Sequence, residues 1–406
     1  MTADPARVWL RRGTGAAAGL ALVVFASAMI ALQHRWFREA DWGLRYLAAT
    51  AYIIAPLLAA ACANDIARRA APTLVELSRT TSHRARLWLG LVLSVWTWSL
   101  CAAALAAAVV LTIVAANHGV PPRDPWLALE SASIFLAASM VGLVMGQFVS
   151  GVFAPVLAAV AVFGSANVLS SWGVPLFKTG VTSGTLVGLE RSNLNASLVV
   201  AEHLVLVVVC AAWSWWWSGP RPVRGLVAKL SIGGALLAVA AGVAAVWSEP
   251  DEFVPTSERY VCVGDRPALC GPVRVKGVLR SAQQGFARAE AKLHGRGLEL
   301  TQTVVVLRGA AVQQRASEGT PFALDPSRVH DGSMDTMDVA AVLATPRACA
   351  ALFSDSDFAP YLADIDVVQR WMLSVLNHGS TSSAAPAPAP VVEAYGRLNT
   401  CSLADL

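Results

Sequence analysis

Residues 127–171 read LALESASIFLAASMVGLVMGQFVSGVFAPVLAAVAVFGSANVLSS, with Glu130 the single charged side chain. A bilayer core about 30 Å thick needs about 20 apolar residues of helix to cross it. The stretch is therefore long enough to cross twice. Its one polar interruption is the short run from Gln147 to Gly151. A tight helical hairpin follows, with spans expected at 127–148 and 152–171. Neither half has the polar face that a helix in water would need.

Five further segments meet the same length requirement, at 14–33, 46–64, 87–115, 196–217 and 226–247. The first is too long for a short signal-peptide core and reads as a signal anchor. Across the whole chain, hydrophobic residues make up 55% and charged residues 14%. Soluble proteins carry about 25% charged residues. The deficit is confined to the first part of the sequence, and residues 249–406 read as water-soluble. The expected fold is an α-helical polytopic membrane bundle of about seven spans over residues 1–248. A small α+β extracytoplasmic domain over 249–406 is expected to follow it.

Short-loop basic residues set the orientation, because cytoplasmic loops carry the excess of Lys and Arg. One set of loops holds Arg7, Arg11, Arg12, Arg68, Arg69, Arg79, Arg84, Arg86, Arg221, Arg224 and Lys229, and the alternate set only Arg35, Arg38, Arg45, Arg123, Lys178 and Arg191. The larger set is taken as cytoplasmic, and an odd number of spans then puts the tail outside. Trp36 and Trp42 at one mouth, and Trp213, Trp215, Trp216 and Trp217 at the other, fit an interfacial aromatic belt. The basic residues fall in clusters between apolar runs, so the net charge of +4 reads as topology and not as a nucleic-acid surface.

Cysteine usage agrees with that orientation. Cys62, Cys101 and Cys210 lie in apolar segments, where Cys behaves as a small hydrophobe. Cys262, Cys270, Cys349 and Cys401 form an even set in the tail, in a compartment that permits disulfides. Four cysteines allow three connectivities; Cys262 with Cys270 and Cys349 with Cys401 is the preferred one. Within the tail, a helix is expected to close at Leu293 before Gly295 and Gly297. A strand is expected over 301–307, a helix over 360–377, and a return to the core around 391–398. The acidic residues Asp331, Asp335, Asp338, Asp355 and Asp357 read as solvated loop residues.

The most informative polar segment is Asp65 to Arg86. Thr73-Leu74-Val75-Glu76 has capping-box form, in which Thr73 and Glu76 satisfy each other's backbone N–H groups. A short helix should start there and run toward Arg84 and Arg86. The plain reading is an interfacial helix. The run TLVELSRTTSHRARLWLG also resembles the coupling segment of ABC exporter permeases of the ABC-2 type. Their pattern is an acidic-leucine pair, a Thr-Thr pair, then basic residues leading into a helix. The matching positions are Glu76, Leu77, Thr80, Thr81 and Arg84, while Ser82 stands where a proline is common. The resemblance implies docking on a separate ABC ATPase subunit and pairing of permease chains as a homodimer or heterodimer. The extra span and the tail exceed the six-span core, as in permease-like proteins of actinobacteria.

Catalytic signatures are missing. The chain has no phosphate-binding Gly-x-x-x-x-Gly-Lys-[Ser/Thr] loop, no His-Glu-x-x-His and no Gly-x-Ser-x-Gly. No catalytic residue, metal or cofactor is expected. Within the spans, Glu202 and His203 stand out as a possible intramembrane polar pair, because ionisable groups at depth face a bundle interior or a wet cavity. A later helix start would leave both at the interface instead. Glu130 has the same ambiguity. Gly142-x-x-x-Gly146 predicts close helix packing. The alternative to a transporter is a membrane anchor for an extracytoplasmic binding or sensing domain.

Overall fold

The computed structural model describes residues 13–32, 35–70, 84–149, 151–171, 176–177, 185–218, 252–300, 302–306, 319–330, 333–345, 361–377 and 386–400. The chain divides into two compact units. One comprises Met1–Ala116, Arg123–Thr182 and Arg191–Glu252, and the other Asn117–Pro122, Ser183–Glu190 and Phe253–Leu406. Two loops from between the apolar segments also belong to the second unit.

The first unit consists of α1 (Gly15–Leu32), α2 (Ala40–Ala49), α3 (Ala51–Asn64), α4 (Arg84–Ala116), α5 (Trp126–Phe148), α6 (Phe153–Ser171) and α7 (Asn193–Ser218). Among the described residues, five helices are long and apolar enough to cross a membrane, at Gly15–Leu32, Ala51–Arg68, Trp88–Ala116, Trp126–Phe148 and Asn193–Ser214, and α6 adds a shorter apolar stretch, Phe153–Val168. The 127–171 hairpin is present as α5 and α6, turning through Gly151 at φ +70°. That conformation costs a glycine little. The expected span at 226–247 lies outside the described residues.

The expected second span, 46–64, is divided at Thr50, where α2 ends and α3 begins. Thr50 Oγ1 donates to the Leu47 carbonyl at 2.6 Å, which fastens the junction. The charged residues Asp41 and Arg45 stay on α2, and α3 is left apolar.

Small residues set the packing. Gly142 and Gly146 on α5 meet Ala59 and Ala63 on α3 so closely that an added Cβ would lie 2.3 Å from the Ala59 carbonyl oxygen and 2.8 Å from that of Ala63. Gly15 and Gly19 on α1 meet Ser94 and Trp98 on α4 in the same way. Without a hydrophobic driving force in lipid, such close approach is what holds helices together. Leu20, Val24, Val156, Val160 and Phe163 are exposed on the bundle surface.

Polar contacts fix the helix directions. The N-termini of α3, α5 and α7 gather at one end, where Trp126 Nε1 donates to Asn193 Oδ1 at 2.8 Å and Arg45 meets Asp124. This is called the charged end below. Tyr52, near the start of α3, donates to Asn167, near the end of α6, at 2.6 Å. At the opposite end Thr14 donates to Asp65 through its backbone N–H and its hydroxyl, at 2.7 and 2.8 Å.

The tryptophan reading needs correction. Trp36 and Trp42 do not face outward as a belt but are buried in a small core with Ala40, Val110 and Val114. Gly43 permits this, since a Cβ there would lie 2.7 Å from the Trp36 ring.

The second unit is α+β. Strands β3 (Tyr260–Val263), β4 (Ala268–Pro272), β5 (Thr303–Val306) and β6 (Thr320–Phe322) form one sheet in that order. β3 and β4 are antiparallel, and β4, β5 and β6 are parallel. Helix α8 (Lys276–Leu293) buries Leu279, Ala282, Phe286, Ala289 and Leu293 at helical spacing. It stops before Gly295 and Gly297, both at positive φ. Helices α9 (Thr336–Ala344), α10 (Leu362–Asn377) and α11 (Ala389–Thr400) complete the core, to which α11 brings Val391, Ala394, Tyr395 and Leu398. Val120 and Val187, from the two inserted loops, are buried in the same core. A short strand β1 (Leu189–Arg191) pairs with β2 (Phe253–Pro255).

Cys262 and Cys270 sit opposite one another on β3 and β4 and form a disulfide. Cys349 and Cys401 lie outside the described residues. Two of the acidic residues read as solvated have structural roles. Asp335 caps α9 by accepting from the Met337 N–H, and Asp338 pairs with Arg328. Asp331, Asp355 and Asp357 lie outside the described residues.

Candidate functional site

Of the coupling residues expected from the sequence, Glu76, Leu77, Thr80 and Thr81 lie outside the described residues. Arg84 is the first residue of α4. The chain enters that stretch after Ala70 and leaves it at Arg84, on the end of the bundle opposite the charged end.

The charged end carries an arrangement that loop-charge counting does not anticipate. Arg45, at 2% side-chain exposure, donates to Asp124 Oδ2 at 2.8 Å and to Glu252 Oε1 at 2.9 Å. Arg191 is similarly enclosed. It reaches the same Glu252 oxygen at 2.6 Å and Glu130 Oε1 at 2.8 Å. Asp41 adds a further anchor by accepting from the backbone N–H groups of Arg123 and Asp124 at 2.7 and 3.1 Å. One network thus ties α2, the start of α5, the start of α7 and the residue before β2. Buried pairs of this kind add little net stability, yet removing one partner strands a charge and costs about 3–5 kcal/mol.

Deeper in the bundle the network continues as neutral polar contacts. Glu130 lies one turn into α5 and is fully buried. One turn further, Ser133 donates to the Glu130 carbonyl at 2.8 Å, and its oxygen lies 3.3 Å from His203 Nδ1. His203 also hydrogen-bonds the backbone of Val199, and its ring lies 6.1 Å from that of Phe177. Ten residues separate His203 from the start of α7, which at 1.5 Å per residue places it about 15 Å along the helix. The helix begins at Asn193, ahead of the later start near Val199, and His203 has no exposed surface within the bundle.

Among the described residues, several buried polar atoms have no hydrogen-bond partner: Glu130 Oε2, Glu202 Oε2, His203 Nε2, Ser214 Oγ and the side-chain amide of Gln147. Such atoms are costly unless something pairs with them. Among the described residues, no group of three or more His, Cys, Asp or Glu is placed to hold a metal ion.

No family model, no curated protein and no solved structure matches this chain. The functional reading therefore rests on the site itself.

The sequence pointed to Glu202, His203 and Glu130 one by one, through the cost of ionisable groups at depth. Nothing in it linked Arg45 to Glu252, 207 positions away, or Arg191 to Glu130, 61 positions away. Glu252, just before β2, is shared by two arginines. The one available signal was the presence of Arg45 and Arg191 in loops that otherwise carry few basic residues.

Proposed function

We propose that this chain is the membrane-spanning permease subunit of an ATP-binding-cassette exporter, working with a separate ATPase and a second permease chain. The observation that carries the reading is the buried polar line Arg191–Glu130–Ser133–His203 between α5 and α7. A bundle that only anchors a domain has no need of ionisable groups at depth, and such groups in membrane proteins mark pathways. The stretch resembling a coupling helix links α3 to α4 at the far end of the bundle. The ATPase binds there, and its closure moves those two helices.

The loop charges orient that end toward the cytoplasm and the second unit toward the outside of the cell membrane. The Cys262–Cys270 disulfide fits an oxidising compartment.

The test is affinity purification of the detergent-solubilised chain with identification of what co-purifies. A stoichiometric ATPase, lost in Glu76→Arg, supports the permease. A second reading, an anchor for an outer binding domain, is favoured by the burial of Val120 and Val187 in the second unit's core. It expects no ATPase, tolerance of Glu76→Arg, and loss of function when residues 253–406 are removed.

A further inference from the structure

The open valences near the outer half of the α5–α7 seam share one chemical character. Glu130, ionised against Arg191 through Oε1, leaves its carboxylate oxygen Oε2 as an open acceptor. The second is His203 Nε2, and its state follows from its neighbours. Its Nδ1 faces Ser133 Oγ at 3.3 Å, a contact that needs the hydrogen on Nδ1 when Ser133 has none to give. Ser133 spends its own proton on the Glu130 carbonyl. A neutral imidazole with its proton on Nδ1 leaves Nε2 a bare acceptor. Two buried acceptors thus lie on the facing residues of α5 and α7, and among the described residues neither has a donor.

Between this seam and the charged end stands Arg191. Its guanidinium is held on one side by Glu130 and on the other by Glu252. Glu252 is in addition held by Arg45. The fork of Arg191 therefore closes the seam above Ser133, held by these carboxylates and by the Glu252 carbonyl.

We propose that His203, Ser133 and Glu130 form an intramembrane binding site for a hydrogen-bond-donating ligand. Arg191, pinned between Glu130 and Glu252, closes it from the charged end. The ligand class is set by the acceptors: an ammonium or a hydroxyl-bearing molecule supplies what the site lacks, and a ligand of acceptors alone finds no partner. This deepens the permease reading. Its test involves no ATPase, so failure here leaves the coupling experiment untouched, and the reverse holds too.

Diethyl pyrocarbonate, a small electrophile that acylates unprotonated imidazole nitrogen, is the probe for access. The full-length protein in lipid nanodiscs is treated and the rate at each histidine is read by peptide mass spectrometry. His294 is exposed and serves as the internal reference. Cys62 is fully buried, and its reaction with N-ethylmaleimide reports whether the bundle stays closed. In the wild type His203 reacts far more slowly than His294. Arg191→Ala accelerates His203 by about tenfold or more, the equivalent of about 1.4 kcal/mol. Glu252→Gln, which leaves Glu130 paired, gives a smaller acceleration. Cys62 stays unreactive in both. An unchanged His203 rate in both variants overturns the gate. So does Cys62 reacting in step with His203, since the network would then only hold the bundle together.

The ligand class is read from melting temperature, with ethanolammonium and sorbitol each added to wild type and to His203→Phe. A shift in the wild type that the variant lacks supports the site, and the effective compound separates ammonium from hydroxyl. No differential shift from either overturns the ligand class.

Discussion

Replacing Gly142 by alanine adds one methyl group where α5 lies directly on the backbone of α3. The new Cβ would stand 2.3 Å from the Ala59 carbonyl oxygen and 2.9 Å from its Cα. Ordinary contact begins near 3.4 Å, so the two helices have to part by about 1 Å at this crossing. Backbone atoms cannot rotate aside as a flexible side chain would. Overpacking typically costs about 1–3 kcal/mol, and the upper end applies here. Parting the helices also loosens the Gly146–Ala63 contact one turn away. A loss of about 3 kcal/mol lowers the folded-to-unfolded ratio by roughly a hundredfold.

The assay is equilibrium unfolding in mixed micelles with increasing SDS. Gly164→Ala is the matched control, because nothing lies within 4 Å of its added Cβ. That substitution gains helix propensity and should be neutral or stabilising by up to about 1 kcal/mol. If Gly142→Ala unfolds within about 0.5 kcal/mol of wild type, or if Gly164→Ala loses as much, the close-packing argument fails.

Other perturbations have equally defined outcomes. Arg191→Ala strands the buried Glu130 and should cost about 3–5 kcal/mol in the same assay, most of it regained when Arg191 and Glu130 are both replaced by leucine. The Cys262→Ser, Cys270→Ser double variant opens a short loop, and the second unit should lose about 2–3 kcal/mol against thermal or urea unfolding. Burial pushes the Tyr395 hydroxyl up to about 12. The unfolded chain gives up that proton at lower pH, so this contribution is whole below about pH 10 and falls by about 1.4 kcal/mol per unit up to the folded value. Alkaline melts of the second unit should show that slope, and Tyr395→Phe should flatten it.

What the sequence made legible were features set by local composition. The α5–α6 hairpin followed from an apolar run, and the end of α8 from Gly295 and Gly297. The α3–α5 contact was signalled by two glycines one turn apart. Trp36 and Trp42 were misread because aromatic residues near a helix end suit both a lipid interface and a core. The presence of Gly43 beside Trp36 decides between them, and only in three dimensions. The ion-pair network stayed hidden because each link joins distant segments. Arg45 and Arg191 look like any loop arginine until Glu252 and Glu130 are placed beside them. His203 was visible as an oddity, but its bare Nε2 depends on where Ser133 directs its hydroxyl proton.

The composite make-up of the second unit bears on how the protein is made. Its core needs Val120 and Val187, which the ribosome delivers long before residues 253–406. Those valines reach the compartment where the tail folds only if the segments flanking them have been inserted the right way round. A chain with α4, α5 or α7 misoriented would thus produce a tail with gaps in its interior. Folding of the tail then acts as a late check on membrane insertion, and quality-control proteases could read its failure from outside the bilayer.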